Sequence, residues 1–257
     1  MKKLLQVKQV SKSYQSNSVL TDVSFQMKQG ESLGLIGESG SGKSTVAKLI
    51  VGLEQLDEGQ IILNGIDFQS LKGSKLRKAR RHVQIVFQDP MASLNPKLRI
   101  WKSIVEPLEN YPEVVPVFLK DVRNDGKKMA GILLEKVGLP ISLLDRYPHQ
   151  LSGGQLQRVA IARGISLQPK LLVCDEPTSS LDVSIQAQIL NLLGDLKREF
   201  GMSYLYISHD MATVRYMCER IAVLKEGVLV DSFLSDDLFS ETRHCYTKLL
   251  VDAALEN

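Results

Sequence analysis

The sequence predicts an α/β fold built on a mainly parallel sheet with helices on both faces. Three observations point there. Short strand-like runs alternate with stretches of helical periodicity in the early and late parts of the chain. The run Ser32-Leu33-Gly34-Leu35-Ile36 is largely apolar and leads into Gly37, as a strand buried on both faces does. Between about residue 90 and residue 150 the texture changes to helical pieces separated by prolines, which reads as a helical insertion.

The elements follow in order. Leu5, Val7 and, after a break, Val10 alternate with polar residues, and so do Val23, Phe25 and Met27, so the chain opens on strands. The strand 32–36 enters a turn, and residues 43–51 carry Val46, Leu49 and Ile50 at helical spacing. Segments 59–63 and 82–87 read as short strands, and the strongly basic stretch 72–81 between them reads as a solvated helix face. The insertion holds Pro90, Pro96, Pro107, Pro112, Pro116, Pro140 and Pro148, with a helix over 127–137. Beyond it come a helix (154–166), a buried strand (171–174), a helix (184–200) and a strand (203–207). Strands 220–225 and 228–233, joined by Glu226-Gly227, form a hairpin, and residues from Asp236 onward are expected to be helical to the end.

Composition narrows the function classes. With 257 residues, 44% of them hydrophobic, the chain can bury a sizeable core, which excludes disorder and small disulfide scaffolds as whole-chain readings. A net charge of +3 is too balanced to suggest a nucleic-acid partner. Cys174, Cys218 and Cys245 are scattered without metal or redox spacing, which suggests a reducing compartment. The basic N-terminus has no long apolar core behind it, and no window approaches a membrane span. The expectation is a soluble protein that reaches a membrane only through a partner.

Three motifs carry chemistry. Gly37-Glu38-Ser39-Gly40-Ser41-Gly42-Lys43-Ser44 fits the phosphate-loop pattern GxxxxGK[ST] between a buried strand and a helix. Its glycines let backbone N–H groups turn inward, and the helix N-terminus adds positive potential. Lys43 is placed to reach the β- and γ-phosphates, and the Ser44 hydroxyl to ligate Mg²⁺. Leu171-Leu172-Val173-Cys174-Asp175-Glu176 delivers two carboxylates at a strand's C-terminal end, where α/β sheets bind ligands. Asp175 suits the Mg²⁺ shell and Glu176 suits a general base that polarises the attacking water. Leu151-Ser152-Gly153-Gly154-Gln155 opens another helix and suits a second anion, although a helix cap alone accounts for Ser152 and Gly153. Two phosphate devices mean either two phosphates on one chain or an ATP shared between two chains.

Taken in this order, the three motifs resemble the ATP-binding cassette of ABC transporters over nearly the whole chain. The resemblance implies a RecA-like, mainly parallel sheet with an antiparallel β subdomain and an inserted α-helical subdomain. It implies one ABC ATPase domain, its α/β core at 1–90 and 159–257 and its helical signature subdomain at 91–158. Further positions match the family's pattern. Tyr14 matches the aromatic residue that stacks on adenine, and Thr45 completes the phosphate loop. Gln88 matches the Q-loop glutamine, Asp182 in Ser180-Leu181-Asp182 the D-loop, and His209 the switch histidine at the γ-phosphate. Gln88 is thereby expected at the metal and attacking water, and Glu176, His209 and Gln88 as the catalytic set.

The wording around Phe87-Gln88-Asp89-Pro90, Arg146-Tyr147-Pro148-His149-Gln150 and residues 184–190 is similar to the oligopeptide, dipeptide and nickel importer group. That group implies ATP and Mg²⁺ as cofactors. It also implies a second ABC ATPase subunit, identical or homologous, closing head to tail with this one, and two membrane permeases. An extracytoplasmic binding protein delivers cargo indirectly, the location is the cytoplasmic face of the membrane, and no nucleic acid takes part. Many peptide-type members continue well beyond this length, with a C-terminal extension that in some carries clustered cysteines; with this sequence ending at Asn257 and its cysteines scattered, no cluster is carried over, and the expectation is a form more like the nickel or metal-complex importers. Ile100, Trp101, Ile104 and Val105 are candidates for lining a groove for a permease helix, with packing of the insertion's own core as the competing role for Trp101. An exporter subunit, or a cytosolic ABC protein acting on ribosomes or DNA, is the alternative function.

Overall fold

The computed structural model describes residues 2–68 and 70–255. In chain order the elements are β1 (Lys3–Tyr14), β2 (Asn17–Lys28), β3 (Ser32–Ile36), α1 (Lys43–Ile50), β4 (Glu58–Leu63), β5 (Ile66–Asp67) and α2 (Gly73–Arg80). They continue with β6 (Val83–Val86), α3 (Pro90–Ser93), α4 (Ile100–Asn110), α5 (Gly126–Lys136), α6 (Gly153–Ile165), β7 (Leu171–Asp175) and α7 (Val183–Phe200). The chain closes with β8 (Ser203–Ser208), α8 (Met211–Met217), β9 (Arg220–Lys225), β10 (Val228–Leu234) and α9 (Cys245–Leu255). The chain divides into two compact units, Met1–Arg80 with Ser203–Asn257, and Arg81–Met202. The segment 91–158 expected as the helical subdomain lies within the second.

In the first unit, β2, β1, β4 and β5 form an antiparallel sheet in that order. Its inward face is Leu5, Val7, Val10, Val23, Met27, Ile61 and Leu63, all nearly inaccessible. The strands β10, β9, β3 and β8 lie side by side, with β3 parallel to both β8 and β9. All five residues of β3 and all six of β8 are buried, which is why they read as unbroken runs rather than alternations. Helix α8 lies so close to β3 that a Cβ at Gly34 would fall 2.2 Å from Val214 Cγ1. The β9–β10 turn is tied to the antiparallel sheet by Thr21 N–H donating to Gly227 O at 2.9 Å.

In the second unit, β6 and β7 pair in parallel and α6 packs on them at Gly164, where a Cβ would meet Val86 and Leu172 at 3.2 and 3.3 Å. Helices α4, α5 and α6 pack on one another. Here one expectation is corrected. Ile100, Ile104 and Val105 are completely buried in this cluster, so they cannot line a groove open to a partner. An apolar stripe has the same period whether it faces its own core or a docking helix. Trp101 is half-buried, with Gly126 close against its ring.

A second correction concerns the C-terminal region. It is not helical from Asp236 onward: a 3₁₀ turn at Ser235–Asp237 is followed by irregular chain before α9 begins at Cys245. Local side chains hold that stretch. Ser240 Oγ accepts from Thr242 N–H at 3.3 Å, and Asp231 Oδ2 accepts from His244 N–H at 2.9 Å, competing with helical hydrogen bonds. Among the described residues no helix is long and apolar enough to cross a membrane.

Candidate nucleotide-binding site

The residues singled out from the sequence divide between the units. Tyr14, residues 37–45 and His209 belong to the first; Gln88, residues 152–155, Asp175, Glu176 and Asp182 belong to the second.

In the first unit the loop after β3 is shaped by its glycines. A Cβ at Gly37 would fall 2.2 Å from Leu224 O, and one at Gly42 would fall 2.6 Å from Leu20 Cδ2. Gly40 and Gly42 have φ of 81° and 103°, a region that side chains other than glycine enter at a cost. Lys43 is only 6% exposed, and its ammonium donates to Gly37 O and Glu38 O, each at 2.8 Å. The cation is therefore held on the loop's own carbonyls. Ser41 Oγ is buried without a hydrogen-bond partner. A buried cation and an unpartnered hydroxyl within a glycine-shaped loop at the start of α1 are the features an anionic phosphate needs. Ser44 and Thr45 follow on the first turn of α1.

Ile36 of β3 is paired in register with Ser208 of β8, so Gly37 and His209 leave the sheet at the same edge. His209 is exposed, and Asp210 beyond it caps α8 by accepting from Ala212 and Thr213 N–H. Tyr14 ends β1 and is 38% exposed, with Lys12 Nζ 5.3 Å from its ring centroid. Partial burial, and then the carboxylate of Glu54, raise its phenol above the usual range, and Thr45 is within hydrogen-bond reach. This places the adenine-stacking candidate beside the phosphate loop.

In the second unit, β6 and β7 are in register at Val86 and Cys174. Gln88 and the pair Asp175-Glu176 therefore emerge at one edge of neighbouring strands, which lie about 4.8 Å apart. Asp175 is 7% exposed and Gln88 is exposed. Glu176 has φ +48°, a left-handed conformation, immediately before Pro177. Strained backbone of this kind aims a side chain where regular structure would not. The thiol of Cys174 is driven far above its normal range by complete burial and then by Asp175, so it stays inert.

The segment 151–155 forms a capping box: Ser152 Oγ accepts from Gln155 N–H at 3.3 Å, and Gln155 Oε1 accepts from Ser152 N–H at 3.0 Å. Both competing roles of Ser152 thus stand, since the cap occupies the same hydroxyl that suits an anion. Gly154 has a packing reason, because a Cβ there would fall 2.7 Å from Ile185 Cγ2 of α7. That approach brings the segment beside the start of α7, where Asp182 caps the helix by accepting from Ile185 N–H at 2.9 Å.

Three residues escaped the sequence reading. Tyr246 of α9 is buried, and its hydroxyl accepts from Glu38 N–H at 3.4 Å, on the wall of the phosphate loop. Arg158 donates to Val137 O at 2.7 Å and to Gln188 Oε1 at 3.1 Å, while Arg163 donates to Ser93 O at 2.9 Å and to Glu106 Oε2 at 2.7 Å. No local pattern marks Tyr246. The two arginines break the apolar face of α6 and were the available signal.

Comparison with known proteins bears on the family and the fold. The family model described as ABC transporter matches residues 20–179. The oligopeptide transport ATP-binding protein OppF of Haemophilus influenzae is 42% identical over 240 residues, covering 93% of this chain and 70% of that protein. OppF of Salmonella typhimurium is 45% identical over 231 residues, covering 90% and 67%. Among solved structures, the ATP-binding cassette MJ0796, a dimer in a post-hydrolysis state with ADP and Pi, is 32% identical with a TM-score of 0.79, covering 90% of this chain and 99% of that one. CbiO1 of Clostridium perfringens, part of the ABC transporter complex cbiONQ, is 27% identical with a TM-score of 0.80, covering 94% and 92%. The fold and its phosphate loop define an ABC-type ATPase cassette. The chain belongs to the ABC transporter family.

Proposed function

We propose that the chain is the ATP-hydrolysing subunit of an importer for short peptides, acting at the cytoplasmic face of a membrane. The observation that carries the reading is the Lys43 ammonium, buried and held by loop carbonyls in a glycine-shaped cradle beside an unpartnered Ser41 hydroxyl. A neutral ligand gives no reason to bury a cation there; a polyphosphate does. Tyr14 stacks on the adenine, residues 37–45 wrap the phosphates, and His209 faces the γ-phosphate. Ser44, Gln88 and Asp175 suit Mg²⁺ by their oxygen donors, and the metal supplies charge neutralisation on the phosphates. Glu176 accepts a proton from the attacking water, and Gln88 orients that water.

In this reading each ATP is shared between two cassettes that close head to tail, with Ser152, Gly153, Gly154 and Gln155 of one chain and Asp182 beside them facing the ATP of the other. Two permeases carry the cargo, and an extracytoplasmic binding protein delivers it. Peptide is favoured as cargo by the oligopeptide transport proteins among the relatives. Nickel or a metal chelate is the second reading, on the importer group's shared wording. The test is co-purification of the chain with its permeases in a detergent-solubilised complex, followed by ATPase assays in liposomes with the binding protein. Stimulation by short peptides and not by nickel supports the reading. Stimulation by nickel alone overturns the cargo, and absence of any permease from the purified complex overturns the importer.

A further inference from the structure

Arg163 links two segments that the proposed mechanism uses separately. Gln88 is followed by Asp89, whose carboxylate caps α3 by accepting from Met91 N–H at 2.8 Å and Ala92 N–H at 3.3 Å. The buried Pro90 opens that short helix, and Ser93 closes it with its hydroxyl on Pro90 O at 2.8 Å. The carbonyl of Ser93 accepts from Arg163 Nη1, and the other arm of the same guanidinium holds Glu106 of α4. Arg163 lies in the last turn of α6, and Ser152–Gln155 lie at that helix's first turn. Ten residues separate Gly153 from Arg163, about 15 Å at 1.5 Å per residue. The helix is continuous between these two ends, and Arg158 fixes its middle to Val137 O and Gln188 Oε1.

We infer that Arg163 is a positioning residue that couples the Gln88 segment to the Ser152–Gln155 end of α6. Resting on the roles proposed above for Gln88 and Ser152, it predicts how they communicate. The chemistry suits the task. A planar guanidinium holds a carbonyl and a carboxylate in fixed directions at once, which an ammonium does not. Both charged groups are partly exposed, with side chains 32% and 44% accessible, so the pair adds little to stability and its value lies in geometry.

The test is a double-mutant cycle on steady-state ATP turnover with the purified full chain, using Arg163→Gln, Gln88→Ala and the double variant. Nucleotide affinity and melting temperature are measured alongside. Arg163→Gln is expected to keep ATP affinity within about threefold and to lower turnover about tenfold, by misplacing the α6 end. Arg163→Lys is expected to recover only part of that loss, because it cannot hold both partners. The double variant is expected to turn over no more slowly than the worse single variant. Losses that multiply in the double variant overturn the coupling while leaving the role of Gln88 standing. Gln88→Ala with wild-type turnover overturns the reading of Gln88, and the coupling with it. A large drop in melting temperature for Arg163→Gln with full turnover at low temperature assigns Arg163 a structural role instead and also overturns the coupling.

Discussion

Glu176 offers a direct probe of how the chemistry and the backbone are linked. Its φ of +48° places a side-chain-bearing residue in the left-handed region, directly before a proline that disfavours compact conformations at that position. Such a conformation costs about 1–2 kcal/mol for a residue with a Cβ. Glycine relieves the strain but loosens the unfolded chain, which offsets about 0.4–1 kcal/mol of the gain. The perturbation is therefore a pair of variants, Glu176→Ala and Glu176→Gly. Both remove the carboxylate, and only glycine removes the strain. The net difference is about 0.5–1 kcal/mol in favour of glycine, or about 1–4 °C in melting temperature for a chain of this size. Scanning calorimetry without nucleotide measures it, and both variants should be equally inactive in ATP hydrolysis. An alanine variant that melts at or above the glycine variant refutes the claim that strain is stored at this position.

Lys43→Ala removes a buried charge-assisted contact worth about 1.5–3 kcal/mol, so affinity for a fluorescent ATP analogue should fall about 10–150-fold; unchanged affinity would sink the phosphate-loop assignment. Ser152→Arg places a bulky cation at the start of α6 and should abolish ATP-driven dimerisation while leaving monomer binding intact. Ser152→Ala loses the same cap, about 1 kcal/mol, and should still dimerise; equal failure of both assigns the loss to the cap. Burial, then Arg81 and Lys170, hold the His82 imidazole below its ordinary value, and Arg81 Nε donates to its Nε2 at 3.3 Å, which requires the neutral ring. Its depressed folded value makes its contribution full above the unfolded value of about 6.5 and lost as pH falls from there toward the folded value. Wild type should therefore lose melting temperature relative to His82→Gln below about pH 6.5, and parallel curves contradict this.

The phosphate loop was legible because every physical requirement falls within eight consecutive residues, and the buried strand before it is marked by its apolar run. Strands β3, β7 and β8 were equally plain, being buried on both faces. Helix α8 is not legible in the sequence: at seven residues it is too short for periodicity to show, and its start is marked only by the Asp210 cap. The irregular stretch after Ser235–Asp237 was missed because Asp231, which holds His244 in place, comes from β10 and not from the segment itself. The apolar stripe of α4 marks a face in the sequence, but its spacing does not name what that face packs against, which here is the helical cluster itself. Within the candidate site, Glu176 could be named from its place after a buried strand, whereas Gln88 was named only through the family resemblance. The strain at Glu176 and the reach of Tyr246 and Arg163 come from tertiary packing.

In the mechanism proposed above, Glu176 is the base for ATP hydrolysis while Lys43 and its loop hold the nucleotide. The most direct measurement compares wild type and Glu176→Gln for ATP binding and for single-turnover hydrolysis in Mg²⁺. Glu176→Gln is expected to bind ATP within a few-fold of wild type and to hydrolyse it about 10²–10⁴-fold more slowly, leaving intact ATP on the protein. Near-native hydrolysis by Glu176→Gln contradicts it.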